Sequence, residues 1–226
     1  MTGSDARWSL PQQVGIDLGR TLFGSLFRLR TEGAEHLPSR GAAVVVCNHP
    51  SYLEPLLLTL VMPRPVTHLA LTTPWKYPQI AHFLDLFGCI PVQPGGATAE
   101  TLAAARDALD RGRLLIVFPE GGVSHRGVMR RFQPGAARLA IEAQCPVIPA
   151  AACGSYDAWP QGSVIPKFRP VTIRFGRPLD LARAYGRRRN VGLLKCVTHE
   201  MEQAVRRLYT PWDPRNPSAA RRYAEA

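Results

Sequence analysis

The chain has 226 residues, of which 46% are apolar and 20% charged, and 28 Lys and Arg against 17 Asp and Glu leave a formal charge of +11. That length is one ordinary domain able to bury a sizeable core, and the composition excludes an intrinsically disordered chain. The basic excess attracts polyanions (nucleic acid, an anionic membrane surface or phosphorylated substrates) without choosing among them.

Residues 8–30, WSLPQQVGIDLGRTLFGSLFRLR, carry Val14, Leu18, Leu22 and Leu26 at intervals of four, with Phe23 and Phe27 beside them and Arg20, Arg28 and Arg30 supplying charge. The spacing predicts an amphipathic helix interrupted by glycines. It suits either packing on the chain's own core or lying in a lipid headgroup region. After the turn-like HLPSRG, strands and helices alternate. AAVVVC (42–47) is a continuous apolar run, as expected of a strand covered on both faces. YLEPLLLTLV follows as a helix, THLALT as a short strand, PWKYPQIAHFLDLFG as a helix and CIPV as a strand. TAETLAAARDALDRG is an alanine-rich helix with Thr98 as its cap and Gly112 beyond its end. RLLIVFPEG contains a second buried strand, PGAARLAIEAQ a helix begun by Pro134, CPVIPAAAC a strand, PVTIRFG an alternating edge strand and VGLLKCVTHEMEQAVRRLY the last helix. The expectation is an α/β fold: a mixed, mostly parallel central sheet flanked by helices, with an N-terminal amphipathic helical segment. The boundaries are 1–34 for that segment, 35–210 for the main domain and 211–226 for a loose tail.

Five cysteines, an odd number without a C-x-x-C pair, argue against a disulfide framework or zinc site and fit a reducing compartment. The start MTGSDARWSL has no signal-peptide pattern. No apolar run approaches the roughly 18 residues of a spanning helix, so a soluble or peripheral protein is expected.

Ligands of open α/β sheets gather beyond the carboxyl ends of strands. Two polar stretches, NHPSYLE and PEGGVSH, fall there. In the first, Asn48 and His49 close a strand and Glu54 opens a helix. Five positions within one continuous helix would turn two side chains about 140° apart. With His49 on the preceding turn, its imidazole can fold back onto the carboxylate. A carboxylate on one ring nitrogen leaves the other to accept a proton from a hydroxyl, which makes a general base. A plainer reading is a capping box, Ser51-x-x-Glu54, in which Glu54 satisfies a helix-end N–H. A cysteine nucleophile at Cys47 beside His49 is a weaker third reading, because Cys47 belongs to the apolar run. In the second stretch Glu120, Gly121 and Gly122 form a turn that can approach a ligand closely and present N–H groups to an anion. Ser124, His125, Arg126, Arg130 and Arg131 make its surroundings polar and basic; a tight turn with solvated arginines is the plain alternative. No G-x-S-x-G elbow, Walker loop or G-x-G-x-x-G is present.

Taken together, these blocks resemble the glycerolipid acyltransferase (PlsC-like) family, whose members include 1-acylglycerol-3-phosphate acyltransferases. NHPSYLE is similar to the family's N-H-x4-D, with Glu54 in place of the aspartate. FGCIPVQPG is similar to its glycine-apolar block, with Gln93-Pro94 where an arginine is usual. FPEGGVS is similar to F-P-E-G-T-R-S, with Gly122 and Val123 replacing Thr-Arg. RRFQPGAARLAIEAQCPVIPAAACG resembles the following helix and P-V-x-P strand. The resemblance covers roughly 35–180. It implies an O-acyltransferase in which His49, oriented by Glu54, deprotonates an acceptor hydroxyl that attacks a thioester. It also implies a substrate-binding set of Asn48, Ser51, Lys76, Glu120, Gly121, Gly122, Ser124, Arg126, Arg130 and Arg131. No metal or other cofactor is implied; acyl-CoA or acyl carrier protein is the co-substrate and a lyso-lipid the acceptor. An anionic membrane surface is the expected partner, from a cytoplasmic position on the inner face of the cell membrane.

The missing motif arginines leave two acceptor classes open: a phosphomonoester such as 1-acyl-glycerol-3-phosphate, or an acceptor without a phosphomonoester, such as a lyso-ornithine lipid, a glycolipid or a specialised metabolite. A catalytically silent lipid-binding protein on the same fold is the rival from another class. Nucleic acid is not expected as a partner, because no recognised binding motif is present and an arginine run such as RAYGRRR (183–189) is ordinarily solvated surface.

Overall fold

The structure is a computed structural model and describes residues 7–215, apart from 125, 188 and 189. His125, the end of the 183–189 basic run and the tail beyond 215 therefore lie outside the described residues.

Seven strands form one sheet: β1 (Arg30–Glu32), β2 (Ala43–Cys47), β3 (Val66–Leu71), β4 (Ile90–Val92), β5 (Leu114–Val117), β6 (Val147–Cys153) and β7 (Thr172–Phe175). Their order is β1-β7-β6-β2-β5-β3-β4. Every pairing is parallel except β6 with β7. The helices are α1 (Leu10–Leu26), α2 (Glu54–Val61), α3 (Pro78–Leu86), α4 (Ala99–Asp110), α5 (Gly135–Ala143), the single turn α6 (Ser155–Ala158) and α7 (Val191–Leu208).

The apolar run at β2 is continuous because both faces are covered. Val45 and Cys47 join a core with Ile16, Phe27, Leu57 and Leu58 from α1 and α2. Val44 and Val46 join the opposite core with Ala105 and Leu109 of α4, Ala140 of α5, and Met201 and Val205 of α7. The sandwich is the expected mixed α/β architecture.

Three local expectations change. PVTIRFG is not an edge strand: β1, all three of whose residues are exposed, pairs outside it. The glycines do not interrupt α1, which runs unbroken through Gly15, Gly19 and Gly24. A Cβ on Gly19 would sit 2.6 Å from Leu60 Cδ2, so this glycine is where α1 approaches α2 closely. The helix stops where Arg28 takes φ 43° and the Leu29 N–H bonds back to the Gly24 carbonyl at 2.9 Å, a left-handed cap with arginine in the place glycine usually holds. The tail, expected to be loose from 211, is tied down as far as 215. Asp213 is fully buried, accepts from Thr172 Oγ1 at 2.5 Å and is held by both Nε and Nη2 of Arg215 at 2.8 Å. Burial alone would raise the Asp213 carboxyl, but these donors outweigh it and hold it below the usual range.

The α1 face that meets the core is Ile16, Phe23 and Phe27, while Leu10, Val14, Leu18 and Leu22 point outward. Arg20 does not serve the outer face. Its guanidinium donates to the Leu60 and Met62 carbonyls at 2.6 and 3.0 Å, satisfying the carboxyl end of α2. No helix of the described residues is long and apolar enough to cross a membrane.

Candidate active site

The site lies past the carboxyl ends of the three central strands, β6, β2 and β5. β2 ends at Cys47, and Asn48 then reaches sideways: its Oδ1 accepts the Ala152 N–H at 2.8 Å and its Nδ2 donates to the Ala152 carbonyl at 3.2 Å. With the sheet thus completed by a side chain, the main chain is free to turn at His49. The His49 N–H donates to Glu120 Oε1 at 2.8 Å, and its carbonyl accepts the Ser124 N–H at 2.8 Å. Both contacts come from the turn after β5, so the two polar stretches are one structure.

The His49 ring folds back onto the start of α2. Nδ1 lies 2.8 Å from Glu54 Oε2, and the same oxygen accepts the Ser51 N–H at 2.8 Å. One oxygen thus meets both the ring and the Ser51 N–H; because Glu54 is itself the first residue of α2 and Leu53 its N-cap, the Ser51 bond ties the turn before the helix and is not the expected capping box. A carboxylate can only accept, so in the neutral imidazole Nδ1 carries the proton and Nε2 keeps its lone pair. The ring stacks on Phe118, centroids 4.1 Å apart and planes at 23°, which fixes its plane. Its side chain is 12% exposed, whereas Glu54 is fully buried. The imidazole is thus held on one edge, supported on one face and open only narrowly. Phe118 entered the sequence reading only as part of a motif block; that it supports the ring could not be read from spacing.

Several residues expected to bind substrate are instead occupied in building this frame. Glu120 is 1% exposed, and while Oε1 holds His49, Oε2 accepts the Arg130 N–H at 2.7 Å. Burial raises the Glu120 carboxyl and the two N–H bonds draw it back, leaving it above the ordinary range. It is a clasp between two loops, with both oxygens already engaged. Ser51 is buried and its hydroxyl donates to the Trp159 carbonyl at 2.7 Å, while accepting the Leu53 N–H at 3.2 Å. Ser124 is buried with its hydroxyl on the Val128 carbonyl at 2.7 Å. Asn48 is spent on β6. The polar side-chain groups of all four are thus engaged within the frame itself.

The exposed members of the set are Lys76, Gly121, Arg126, Arg130 and Arg131, with Gly122 half-buried. Lys76 stands on the turn after β3, on the same rim, without a hydrogen bond or ion pair to the His49 cluster among the described residues. Arg131 lies in the field of Glu202 on α7, whose carboxyl it helps to lower. Arg130 differs. One of its guanidinium nitrogens comes within 3.7 Å of where a Cβ on Gly122 would be, so the cation sits over the Gly121-Gly122 turn. Among the described residues no carboxylate pairs with it. Cys47 is fully buried, and burial first, then Glu54, pushes its thiol well above the ordinary range. A thiolate nucleophile there is disfavoured.

A family model described as Acyltransferase matches residues 28–152. A 1-acyl-sn-glycerol-3-phosphate acyltransferase from Cocos nucifera is 26% identical over 151 residues, covering 66% of this chain and 48% of the relative. The mouse 1-acyl-sn-glycerol-3-phosphate acyltransferase alpha is 33% identical over 125 residues, covering 54% and 44%. The chain spans about half the length of these curated relatives. Its fold is similar to the crystal structure of the 1-acyl-sn-glycerophosphate acyltransferase PlsC from Thermotoga maritima, with TM-score 0.69, 25% identity, and coverage of 87% of this chain and 78% of that one. With more than half of its length matched by the family model, this chain belongs to the Acyltransferase family, the PlsC-like glycerolipid acyltransferases.

Proposed function

We propose that this chain transfers a fatty acyl group from a thioester, acyl-CoA or acyl carrier protein, to a hydroxyl of a lysophospholipid of the 1-acyl-glycerol-3-phosphate type. The observation that carries the reading is the His49 ring, held through Nδ1 by buried Glu54 with Nε2 left as acceptor. In this mechanism Nε2 takes the hydroxyl proton as the oxygen bonds to the thioester carbonyl carbon. The tetrahedral intermediate expels the sulfur, which leaves with the proton returned from the imidazolium. Glu54 stabilises that imidazolium. General-base assistance of this kind is worth ~10²–10⁴-fold. The backbone N–H of Gly122 is the proposed donor to the oxyanion, the Gly121 N–H being already bonded to the Phe118 carbonyl at 3.1 Å. None of these steps calls on a metal or other cofactor.

Arg130, over that turn, is the proposed partner of the acceptor phosphate in place of the guanidinium that Val123 cannot supply. The same Val123, together with Gln93-Pro94, supports the second reading, an acceptor without a phosphomonoester. The proposed location is the inner face of the cell membrane, with the outward leucines of α1 in contact with anionic lipid.

The test is release of free thiol from a panel of acyl-CoA and acyl carrier protein donors with lyso-lipid acceptors. Wild type should turn over and His49→Ala should fall to background with unchanged far-UV circular dichroism. Equal turnover by the His49→Ala protein would overturn the mechanism, and no turnover by wild type with any donor and acceptor would favour the silent lipid binder.

A further inference from the structure

The segment between α6 and β7 carries the most exposed large apolar side chain of the described residues, Val164, with a second beside it. Val164 is 89% exposed and Ile165 73%, with Phe168 at 46%. Isolated exposed aliphatics need no explanation, but this group is held out by its own framework. Trp159 Nε1 donates to the Ser163 carbonyl at 2.7 Å, the Ser163 hydroxyl to the Ile165 carbonyl at 2.9 Å, and the Lys167 N–H to the Ala158 carbonyl at 2.7 Å. Polar groups are spent inward at the base, and Val164 and Ile165 are left at the tip. Phe168 adopts φ 47°, a left-handed conformation that a bulky aromatic rarely takes. In that conformation its ring packs 5.6 Å from Phe27, at the end of α1.

The charge around this tip is one-sided. Residues 158–171, AWPQGSVIPKFRPV, contain Lys167 and Arg169 and no acid, and both cations are exposed. Across the Phe27–Phe168 contact lie exposed Arg28 and Arg30. At its other end the segment reaches the active site, because the Ser51 hydroxyl is bonded to the Trp159 carbonyl. Apolar tip, cationic flank and attachment to the catalytic turn occur in one stretch.

We propose that residues 163–168 are a second membrane contact, an apolar wedge whose Val164 and Ile165 enter an anionic bilayer while Lys167 and Arg169 stay with the headgroups. The cationic flank argues for lipid over a second copy of this chain, which would bring the same positive charge against it. Because the wedge is tied to Ser51, it fixes the His49 turn relative to the lipid surface, so that a membrane-borne acceptor reaches the site from the bilayer side. Binding rests on the surface alone; only this kinetic consequence rests on the proposed reaction.

The test uses the double variant Val164→Asp, Ile165→Asp in the full chain, with vesicles of phosphatidylglycerol and phosphatidylethanolamine in equal parts and pure phosphatidylcholine vesicles for comparison. The variant should bind the anionic vesicles more weakly by about tenfold or more, given two apolar side chains replaced by anions at the interface. It should lose catalytic efficiency for a vesicle-borne acceptor to the same extent, and keep wild-type turnover of a short-chain acceptor dissolved as monomer. Ile165→Trp should gain fluorescence quenched by bromolipids. Wild-type vesicle binding by the double variant, or no bromolipid quenching of the introduced tryptophan, would overturn the proposal. So would a wild-type dimer that the variant dissociates while vesicle binding stays the same, or equal loss with both acceptors. If no panel member is acylated yet vesicle binding still falls, the wedge stands and the reaction reading falls.

Discussion

In the proposed mechanism the charge of Glu54 matters at one moment, when His49 becomes imidazolium, and Glu54→Gln isolates that charge. Glutamine preserves the size and an oxygen that can still accept both the Ser51 N–H and the His49 Nδ1–H, each now 2.8 Å from Oε2. Its amide group would fall on the side of Oε1, which has no hydrogen-bond partner among the described residues, so one unpaired group is exchanged for another. Ring orientation and the Ser51 contact therefore survive, and what is lost is the attraction between carboxylate and imidazolium. At an effective dielectric of about 20 and charge centres about 4 Å apart, that attraction is about 4 kcal/mol. It appears only in the transition state and corresponds to roughly a thousandfold in kcat. Burial of Glu54 and near-burial of His49 leave little solvent to screen it. Glu54→Asp should also fall, because a side chain shorter by roughly 1.5 Å cannot reach Nδ1 from the first residue of α2 without moving it. The assay is thiol release at saturating donor and acceptor, with thermal unfolding alongside. A Glu54→Gln enzyme with kcat within about threefold of wild type would refute the reasoning, because Glu54 would then be a structural acceptor whose charge chemistry does not use.

Arg130→Ala should raise KM for 1-acyl-glycerol-3-phosphate by roughly 10- to 100-fold, as expected for a lost hydrogen bond to a charged group, with partial recovery in Arg130→Lys. Acceptors lacking the phosphate should be unaffected; an equal effect on both classes would remove Arg130 from phosphate recognition. His68, buried on β3 with Nε2 2.7 Å from Thr59 Oγ1, is held down to about 4, chiefly by burial and secondarily by His49. Its folded value lies below the unfolded one, so the unfolded chain binds the extra proton and stability is lost as pH falls from about 6.5 towards 4. At pH 5 the loss relative to pH 7 amounts to about 2 kcal/mol. Urea unfolding of wild type and His68→Gln at both pH values should show this difference in the wild type alone. An identical pH response in the two proteins would show that His68 does not titrate on unfolding.

What the sequence made legible was local. A run such as AVVVC declares a buried strand because burial on both faces leaves no alternation to disturb. Thr98 caps α4, its hydroxyl accepting the Thr101 N–H at 3.3 Å, because a cap needs only three residues. The His49–Glu54 pair spans five positions and was readable for the same reason. The roles of Glu120, Asn48 and Ser51 were not, because their partners lie 71, 104 and 108 positions away. Local spacing says nothing of a contact that topology makes. β1 was missed because three exposed residues, Arg-Thr-Glu, carry no apolar signal; β7 alone recruits them. On α1 the leucine stripe was visible, but which face would meet the core depended on Gly19 admitting Leu60.

Asn48 has a consequence for how far this scaffold tolerates change. With one carboxamide it both gives and receives a bond with Ala152, closing on one residue what a parallel ladder would divide between two. The sheet is thereby sealed one step ahead of the bend. Whatever follows can be rebuilt in length or chemistry without unravelling the ladder behind it. Aspartate at that position could receive but not give, and alanine could do neither, so the tolerance downstream depends on a single amide.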